Sequence, residues 1–180
     1  EFYSRFVTES GDFASLVDNK DHEEWFKKDI VENKPFWSVY KKYLQKSGYF
    51  SPQSIDDLDK TTDSILSSLE NPLRKGTWDR RGMVIGSVQS GKTANIIGLI
   101  NKARDAGYKF IVILSGSNND LRQQTQERVD EGYTGLKTFH LIDDSKVTNS
   151  LGSLRLNIFN DNFQPPISGT VNDINGDLNK

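Results

Sequence analysis

The segment that most constrains this chain is GSVQSGKT, Gly86 to Thr93, which matches the phosphate-binding pattern GxxxxGK[ST] at every fixed position. The glycines let the backbone turn so that its N–H groups point at phosphate oxygens. Lys92 brings a positive charge to the phosphates and is the predicted catalytic residue, and the Thr93 hydroxyl is the predicted Mg²⁺ ligand. The pattern predicts a site for ATP and Mg²⁺ formed by Gly86, Ser87, Val88, Gln89, Ser90, Gly91, Lys92 and Thr93.

The residues on either side of this loop predict where the phosphates would lie. The segment from Gly82 to Ile85 is typical of a short buried strand, and Ala94 to Ala106 has the apolar spacing of a helix. The phosphates would then meet a helix N-terminus, where unpaired N–H groups and the helix dipole favour anions. The alternative is a Gly- and Ser-rich turn that matches by chance, which the flanking patterns disfavour.

Length and composition exclude several classes of protein. The 180 residues are enough for one compact domain, or for a small domain and part of a second. The longest apolar run, Phe110 to Leu114, is too short to span a membrane, and the N-terminus has no apolar signal segment. The absence of cysteine excludes disulfides and is compatible with the cytoplasm. We therefore expect a cytoplasmic protein with no membrane partner, and a net charge of −2 means that nucleic-acid binding would need a local basic patch.

Residues 1–75 have the pattern of a small helical region. One helix is predicted to begin at Pro35 and to end near Gly48, because proline suits a first helical turn and glycine suits a helix end. Another is predicted to begin at Ser51 and to end before Asn71. An aromatic stripe at helical spacing is interpreted as core packing rather than as a base-stacking surface: Trp37, Tyr40 and Tyr43.

Residues 76–142 alternate between strand and helix patterns, which is typical of a parallel α/β sheet. Within them, residues 110–114 are predicted to form a buried central strand, 119–131 a helix and 136–142 a third strand. The predicted fold is therefore an α/β fold with a parallel sheet, incomplete in this chain and preceded by the helical region. Residues 143–180 are rich in Asn, Asp, Ser, Gly and Pro and are predicted to be a loop-rich segment or insertion.

The run from Arg80 to Gly135 closely resembles the N-terminal part of the bacterial Z-one-domain family, mainly through VQSGKT and the block LSG…LRQQTQER. Members are described as endonucleases with a superfamily 2 helicase-like ATPase core. The resemblance therefore implies a RecA-like P-loop NTPase sheet, an ATP-dependent hydrolase, DNA as a partner and a role in restriction or phage defence. Because members are much longer, it also implies an N-terminal fragment that contacts the remaining domains of its own protein.

The segment after the predicted central strand is the candidate nucleic-acid contact. Residues 120–124, DLRQQ, are similar to part of a helicase block, although the usual Pro-Thr-Arg before it is missing. Small polar side chains and helix N-terminal N–H groups suit contacts to phosphate. The candidates are Ser115, Asn118 and Arg122. The alternative is a solvated helix start with Asn118 or Asn119 as N-cap.

Hydrolysis by a P-loop motor also needs an acidic residue for Mg²⁺ and a residue that orients the attacking water. Residues 139–144, FHLIDD, have only part of that pattern because no Glu follows, so Asp143 is interpreted as a loop or cap residue. By resemblance, the family's acidic strand end lies beyond Lys180. This fragment is therefore predicted to lack the Walker B carboxylates, and the alternative function is a nucleotide-dependent binding or switch module without its own catalysis.

Overall fold

A computed structural model describes residues 22–31, 34–85, 91–115 and 118–134, and all the regular structure in these ranges is helical. A 3-10 turn at Lys28–Ile30 precedes the first α-helix, and a π-helical turn at Asp130–Thr134 follows the last. The α-helices are α1 at Pro35–Ser47, α2 at Pro52–Ser68, α3 at Lys92–Ala106 and α4 at Asn119–Val129.

Local sequence signals set the ends of α1 and α2. Each helix has a proline as its first residue, Pro35 in α1 and Pro52 in α2, where the missing N–H has no helical partner to lose. The Ser51 hydroxyl caps α2 by accepting the N–H of Ser54 at 3.1 Å. Gly48 ends α1 with a left-handed φ of 69°. The structure confirms the helix starts and the glycine stop predicted from the sequence.

The apolar faces of α1 and α2 pack against α3, and together they form the main core. The aromatic stripe of α1 lies in this core, with Trp37 and Tyr40 at most 5% exposed, which confirms that it serves packing. Helices α1 and α2 of the predicted helical region and the helix that follows the phosphate-binding motif therefore share one core. Its buried members are Trp37, Val39, Tyr40, Leu44, Ile55, Leu58, Ala94 and Ile97.

Helix α3 approaches its neighbours closely at Gly98. A Cβ atom at this position would lie 3.3 Å from Cζ3 of Trp37 and 3.3 Å from Cγ2 of Thr62, so even an alanine would force these side chains to move. The sequence predicts close packing at Gly98 against a sheet. The structure shows the close packing, but the neighbours are the two helices α1 and α2.

The predicted α/β fold with a RecA-like parallel sheet is wrong for the part of the chain that the structure describes, since these residues contain no strand. The two apolar segments predicted as buried strands, 82–85 and 110–114, lie outside the helical core. Their apolar composition favours a strand only where neighbouring strands pair with it and cover it, and the helices bury one another's apolar faces without them. The most exposed members, between 82% and 92%, are Met83, Ile85, Phe110 and Leu114.

Two other predictions lie outside the described residues, namely the third strand at 136–142 and the loop-rich segment at 143–180. Among the helices that the structure describes, none combines the length and the apolar character needed to cross a bilayer.

Candidate phosphate-binding site

Helix α3 begins at Lys92, so the last two residues of the GSVQSGKT motif form the start of its first turn. Gly91 is the N-cap and has a left-handed φ of 72°, which glycine adopts without the steric cost that a Cβ would add. The N–H of Asn95 bonds to the Gly91 carbonyl at 3.0 Å and closes this turn. The predicted helix after the loop is confirmed and begins two residues earlier than expected. Residues 86–90 lie outside the described residues.

The N-terminus of α3 has the electrostatic character that a phosphate site requires. The first N–H groups of a helix have no partner within the helix, and the helix dipole adds a partial positive charge there. The first turn of α3 holds no acidic residue, and both Lys92 and Thr93 are exposed. This donor set fits nucleotide phosphates with Mg²⁺, since an ammonium group binds phosphate oxygens and Mg²⁺ prefers oxygen ligands such as a hydroxyl.

The described residues place no cluster of acidic or histidine side chains for a metal ion beside this site. Across the four described ranges, no group of three or more His, Cys, Asp or Glu side chains is placed to hold a metal ion. Asp143, interpreted from the sequence as a loop residue, lies outside the described residues. The exposed Lys92 and Thr93, together with the N–H groups of the first turn of α3, can bind and orient an anion.

The body of α3 is fixed by a lysine whose side chain is wholly buried. Lys102 Nζ donates to one carboxylate oxygen of Asp59 and one of Asp63, at 2.5 Å each, and to the Asp59 carbonyl at 2.7 Å. The same ammonium group lies 4.3 Å from the centroid of the Trp37 ring, within cation–π range. Lys41 Nζ donates to the second carboxylate oxygen of Asp59 at 3.0 Å. These contacts connect α3 to both α1 and α2.

Asp59 is the central acid of this network and is charged. Burial would raise its pKa, but the hydrogen bonds from Lys102 and Lys41 outweigh burial and hold the pKa below its ordinary value. Reasoning from the sequence missed this pair, although a signal was present. Lys102 follows Gly98 by four residues, Asp59 follows Ile55 by four, and both therefore lie on helix faces that the apolar pattern predicts to be buried. Opposite charges at two such positions indicate a buried ion pair.

Helix α3 also supports elements on either side of it. The carboxylate of Asp105 accepts the N–H groups of Phe36 at 3.2 Å and Trp37 at 2.8 Å, so a side chain of α3 caps the N-terminus of α1. The side-chain amide of Asn101 donates to the carbonyl of Gly132, in the π-helical turn, at 3.1 Å. The helix that begins in the phosphate-binding motif is thus fixed along most of its length.

The candidate nucleic-acid residues lie before and within the first turn of α4. Asn118 is the N-cap, and its side-chain oxygen accepts the N–H of Asp120 at 2.9 Å, so the capping alternative is confirmed for Asn118. Arg122 donates from Nη2 to the side-chain oxygen of Asn119 at 2.8 Å. Ser115 is exposed. A contact of these residues with DNA stays a prediction.

No family model, curated protein or solved structure matches this chain. The resemblance to the Z-one-domain family therefore depends on the quoted residues alone.

Proposed function

We propose that this chain binds ATP together with Mg²⁺ through Gly86–Thr93, as the N-terminal part of a helicase-like ATPase in a bacterial DNA-processing protein. The observation that carries the proposal is the start of α3. The motif's Lys92 and Thr93 are exposed on a first turn without acidic residues, directly after Gly91 in a left-handed conformation. Both the residue types and the helix end favour a phosphate chain.

The residues of α3 have distinct roles in this proposal. Lys92 offers an ammonium group to the β- and γ-phosphate oxygens, and the N–H groups of the first turn add uncharged donors. Thr93 offers a hydroxyl oxygen to Mg²⁺, which neutralises charge on the phosphates when it is bound. The resemblance, rather than the geometry, supports DNA as the substrate of the longer protein, with Ser115, Asn118 and Arg122 as candidate backbone contacts.

Titration calorimetry with ATP and Mg²⁺ tests the proposal on the 180-residue chain. Lys92→Ala should weaken binding by about 10- to 100-fold, because a hydrogen bond to a charged group contributes roughly 1.5–3 kcal/mol. Lys109→Ala is the matched control, since Lys109 is an exposed lysine just beyond the other end of α3 and should bind nucleotide as the wild type does. Equal affinities for the wild type and Lys92→Ala would refute the proposed site.

A second candidate is a nucleotide-dependent switch that binds ATP without hydrolysing it. The attachment of α3 to α1 and α2 through Lys102 favours this candidate, because any shift of α3 on binding would act directly on both helices. A phosphate-release assay separates the two. Binding without turnover by this chain, with turnover in a chain extended beyond Lys180, would support the ATPase. Binding without turnover in both would support the switch.

A further inference from the structure

A buried carboxylate just after α2, that of Glu70, is contacted by the side chains of His22, Arg74 and Arg80. The Glu70 side chain is only 3% exposed, and its Oε1 accepts from Nη2 of Arg80 at 2.7 Å and from Nε at 3.1 Å. Its Oε2 accepts from Nη1 of Arg74 at 2.8 Å. Nδ1 of His22 lies 3.5 Å from Oε1, and Nε2 of the same ring lies 3.1 Å from the carbonyl of Ser67. Both carboxylate oxygens are therefore occupied by cationic or polar neighbours.

The backbone of Glu70 is also bound, and by a residue on the other side of α3. The Tyr108 hydroxyl donates to the Glu70 carbonyl. Tyr108 is anchored in turn to the end of α3, because its N–H bonds to the Ala103 carbonyl at 3.0 Å. Glu70 thus contacts the chain before the phosphate-binding motif through Arg80, and the chain after α3 through Tyr108.

The Glu70–Arg80 ion pair is largely buried, whereas the neighbouring Arg81–Asp79 ion pair is exposed. Arg80 is 15% exposed in its side chain, so the pair is shielded from water. Hydrogen bonds from Arg80 and then Arg74 hold the pKa of Glu70 at about 2, below its ordinary value. Arg81 and Asp79 also form a pair, but their side chains are 88% and 70% exposed, and exposed pairs do little to fix geometry.

We propose that Glu70 is a positioning residue for the phosphate-binding segment: through Arg80, it fixes the point from which residues 81–91 depart toward the N-terminus of α3. The inference rests on the proposed function, since it assigns a role in nucleotide binding. The far end of the segment is held by α3 itself, which Lys102 attaches to α1 and α2. A shorter chain between two fixed anchors has less conformational freedom to lose when a phosphate chain binds to it.

The size of the effect follows from the number of residues between the two anchors. Releasing Arg80 moves the nearest Glu70-bound anchor back to Arg74, so this number grows from about 11 residues to about 17 and loop closure becomes about twofold less favourable. Removing the Glu70 carboxylate by Glu70→Gln leaves the Tyr108 bond to the Glu70 carbonyl as the nearest anchor, so the distance grows to about 21 residues and closure becomes about threefold less favourable. Nucleotide affinity should fall by these factors, well below the loss expected for Lys92→Ala.

Pulsed electron–electron double resonance between two spin labels measures how well the position of residue 83, in the segment after Arg80, is defined. The chain contains no cysteine, so Lys60→Cys on α2 and Met83→Cys in the segment can be labelled selectively at two exposed positions. The distribution of label-to-label distances should at least double in width with Arg80→Gln added. Arg81→Gln removes the same charge one residue away and should leave the width unchanged, while Arg80→Lys should lie between the wild type and Arg80→Gln.

The outcomes separate the two proposals. The positioning role would be overturned if the distance distributions of the wild type and Arg80→Gln have equal widths while circular dichroism shows that the variant is folded. This holds even if Lys92→Ala abolishes nucleotide binding. If the wild type binds no nucleotide, the proposed function fails, and an unbroadened distribution then decides against positioning as well. The positioning role is supported if Arg80→Gln broadens the distance distribution and Arg81→Gln does not. Nucleotide affinity should then be about twofold weaker for Arg80→Gln and about threefold weaker for Glu70→Gln.

Discussion

Replacing Lys102 by methionine should be among the most damaging substitutions in the helical core. Methionine keeps most of the aliphatic volume of lysine, so the change removes the ammonium group without opening a large cavity. The side chains of Asp59 and Asp63, which are only 13% and 17% exposed, then lose the buried cation to which both are bound. The cation–π contact with Trp37 is lost as well.

The stability lost in Lys102→Met depends on how far the Asp59 and Asp63 carboxylates keep other partners or access to water. Removing one partner of a buried ion pair typically destabilises a protein by about 3–5 kcal/mol. Lys41 remains 3.0 Å from Asp59, and Asp63 keeps some access to water, so the cost should lie near the lower end, about 3 kcal/mol. A domain of ordinary stability has only about 5–15 kcal/mol in total.

Urea unfolding followed by tryptophan fluorescence measures this cost. With a slope of about 2 kcal/mol per molar urea, the midpoint for Lys102→Met should fall by about 1.5 M at an unchanged slope. Lys60→Met is the matched control, because Lys60 is exposed on α2, and it should stay within about 0.5 kcal/mol of the wild type.

A triple variant distinguishes charge from packing. Adding Asp59→Asn and Asp63→Asn to Lys102→Met removes the buried negative charges that the single change leaves behind. It should recover about half of the lost stability, since replacing a whole buried pair is far less costly than breaking it. The reasoning fails if Lys102→Met lies within about 0.5 kcal/mol of the wild type, or if the triple variant is no more stable than the single one.

Three further predictions concern folding stability, each measured by urea or thermal unfolding. Gly132→Ala should destabilise by about 1–3 kcal/mol, because the new Cβ would lie 2.7 Å from Cγ2 of Ile97; wild-type stability would show that the turn can shift freely. Ser51→Ala should cost about 1 kcal/mol by removing the N-cap of α2, and Ser51→Asn should restore most of it. Arg80 and Arg74 hold the pKa of Glu70 at about 2. The ionised carboxylate therefore contributes fully to the free energy of unfolding above about pH 4.5, and this contribution is lost as the pH falls from there to about 2. Glu70→Gln should flatten that part of the stability–pH curve, and an unchanged curve would refute the assignment.

The helices could be predicted from the sequence because their signals are local. Pro35, Ser51 and Gly48 act on the turns in which they stand, and the apolar spacing of α1 and α2 gave their buried faces directly. The start of α3 was predicted to within two residues for the same reason, since Gly91 and the residues after it form a single turn. Such signals act locally because each helical hydrogen bond connects residues only four apart in sequence. A local signal was not sufficient everywhere, since residues 22–27 have no regular structure although Glu24 and the apolar residues after it are typical of a helix start.

The sheet could not be predicted reliably, because a strand depends on partners distant in sequence. The composition of residues 110–114 is the same whether or not another strand pairs with it, and nothing within the segment decides the matter. In the described part of the chain, α3 packs on α1 and α2, where the sequence predicted that it would pack on a sheet. Gly98 illustrates the point, since the glycine indicates that close packing is allowed there, but the predicted neighbour was a sheet and the observed neighbours are Trp37 and Thr62. Likewise, Glu70 and Arg80 are ten residues apart, and no periodic pattern connects them.

The buried polar contacts have a consequence for binding that apolar packing alone would not give. Apolar side chains attract without direction, so apolar packing specifies the orientation of a helix less strictly than directional hydrogen bonds do. The ammonium group of Lys102 instead donates to three oxygens of Asp59 and Asp63, and Asp105 accepts two N–H groups at the start of α1. These bonds fix both the rotation of α3 about its axis and its position along it. A helix N-terminus binds an anion well only if its N–H groups are already in place, because donors that must be reoriented on binding lose part of the gain. The helical layer formed by α1 and α2 is therefore part of the proposed phosphate site in a physical sense, although neither helix belongs to the motif.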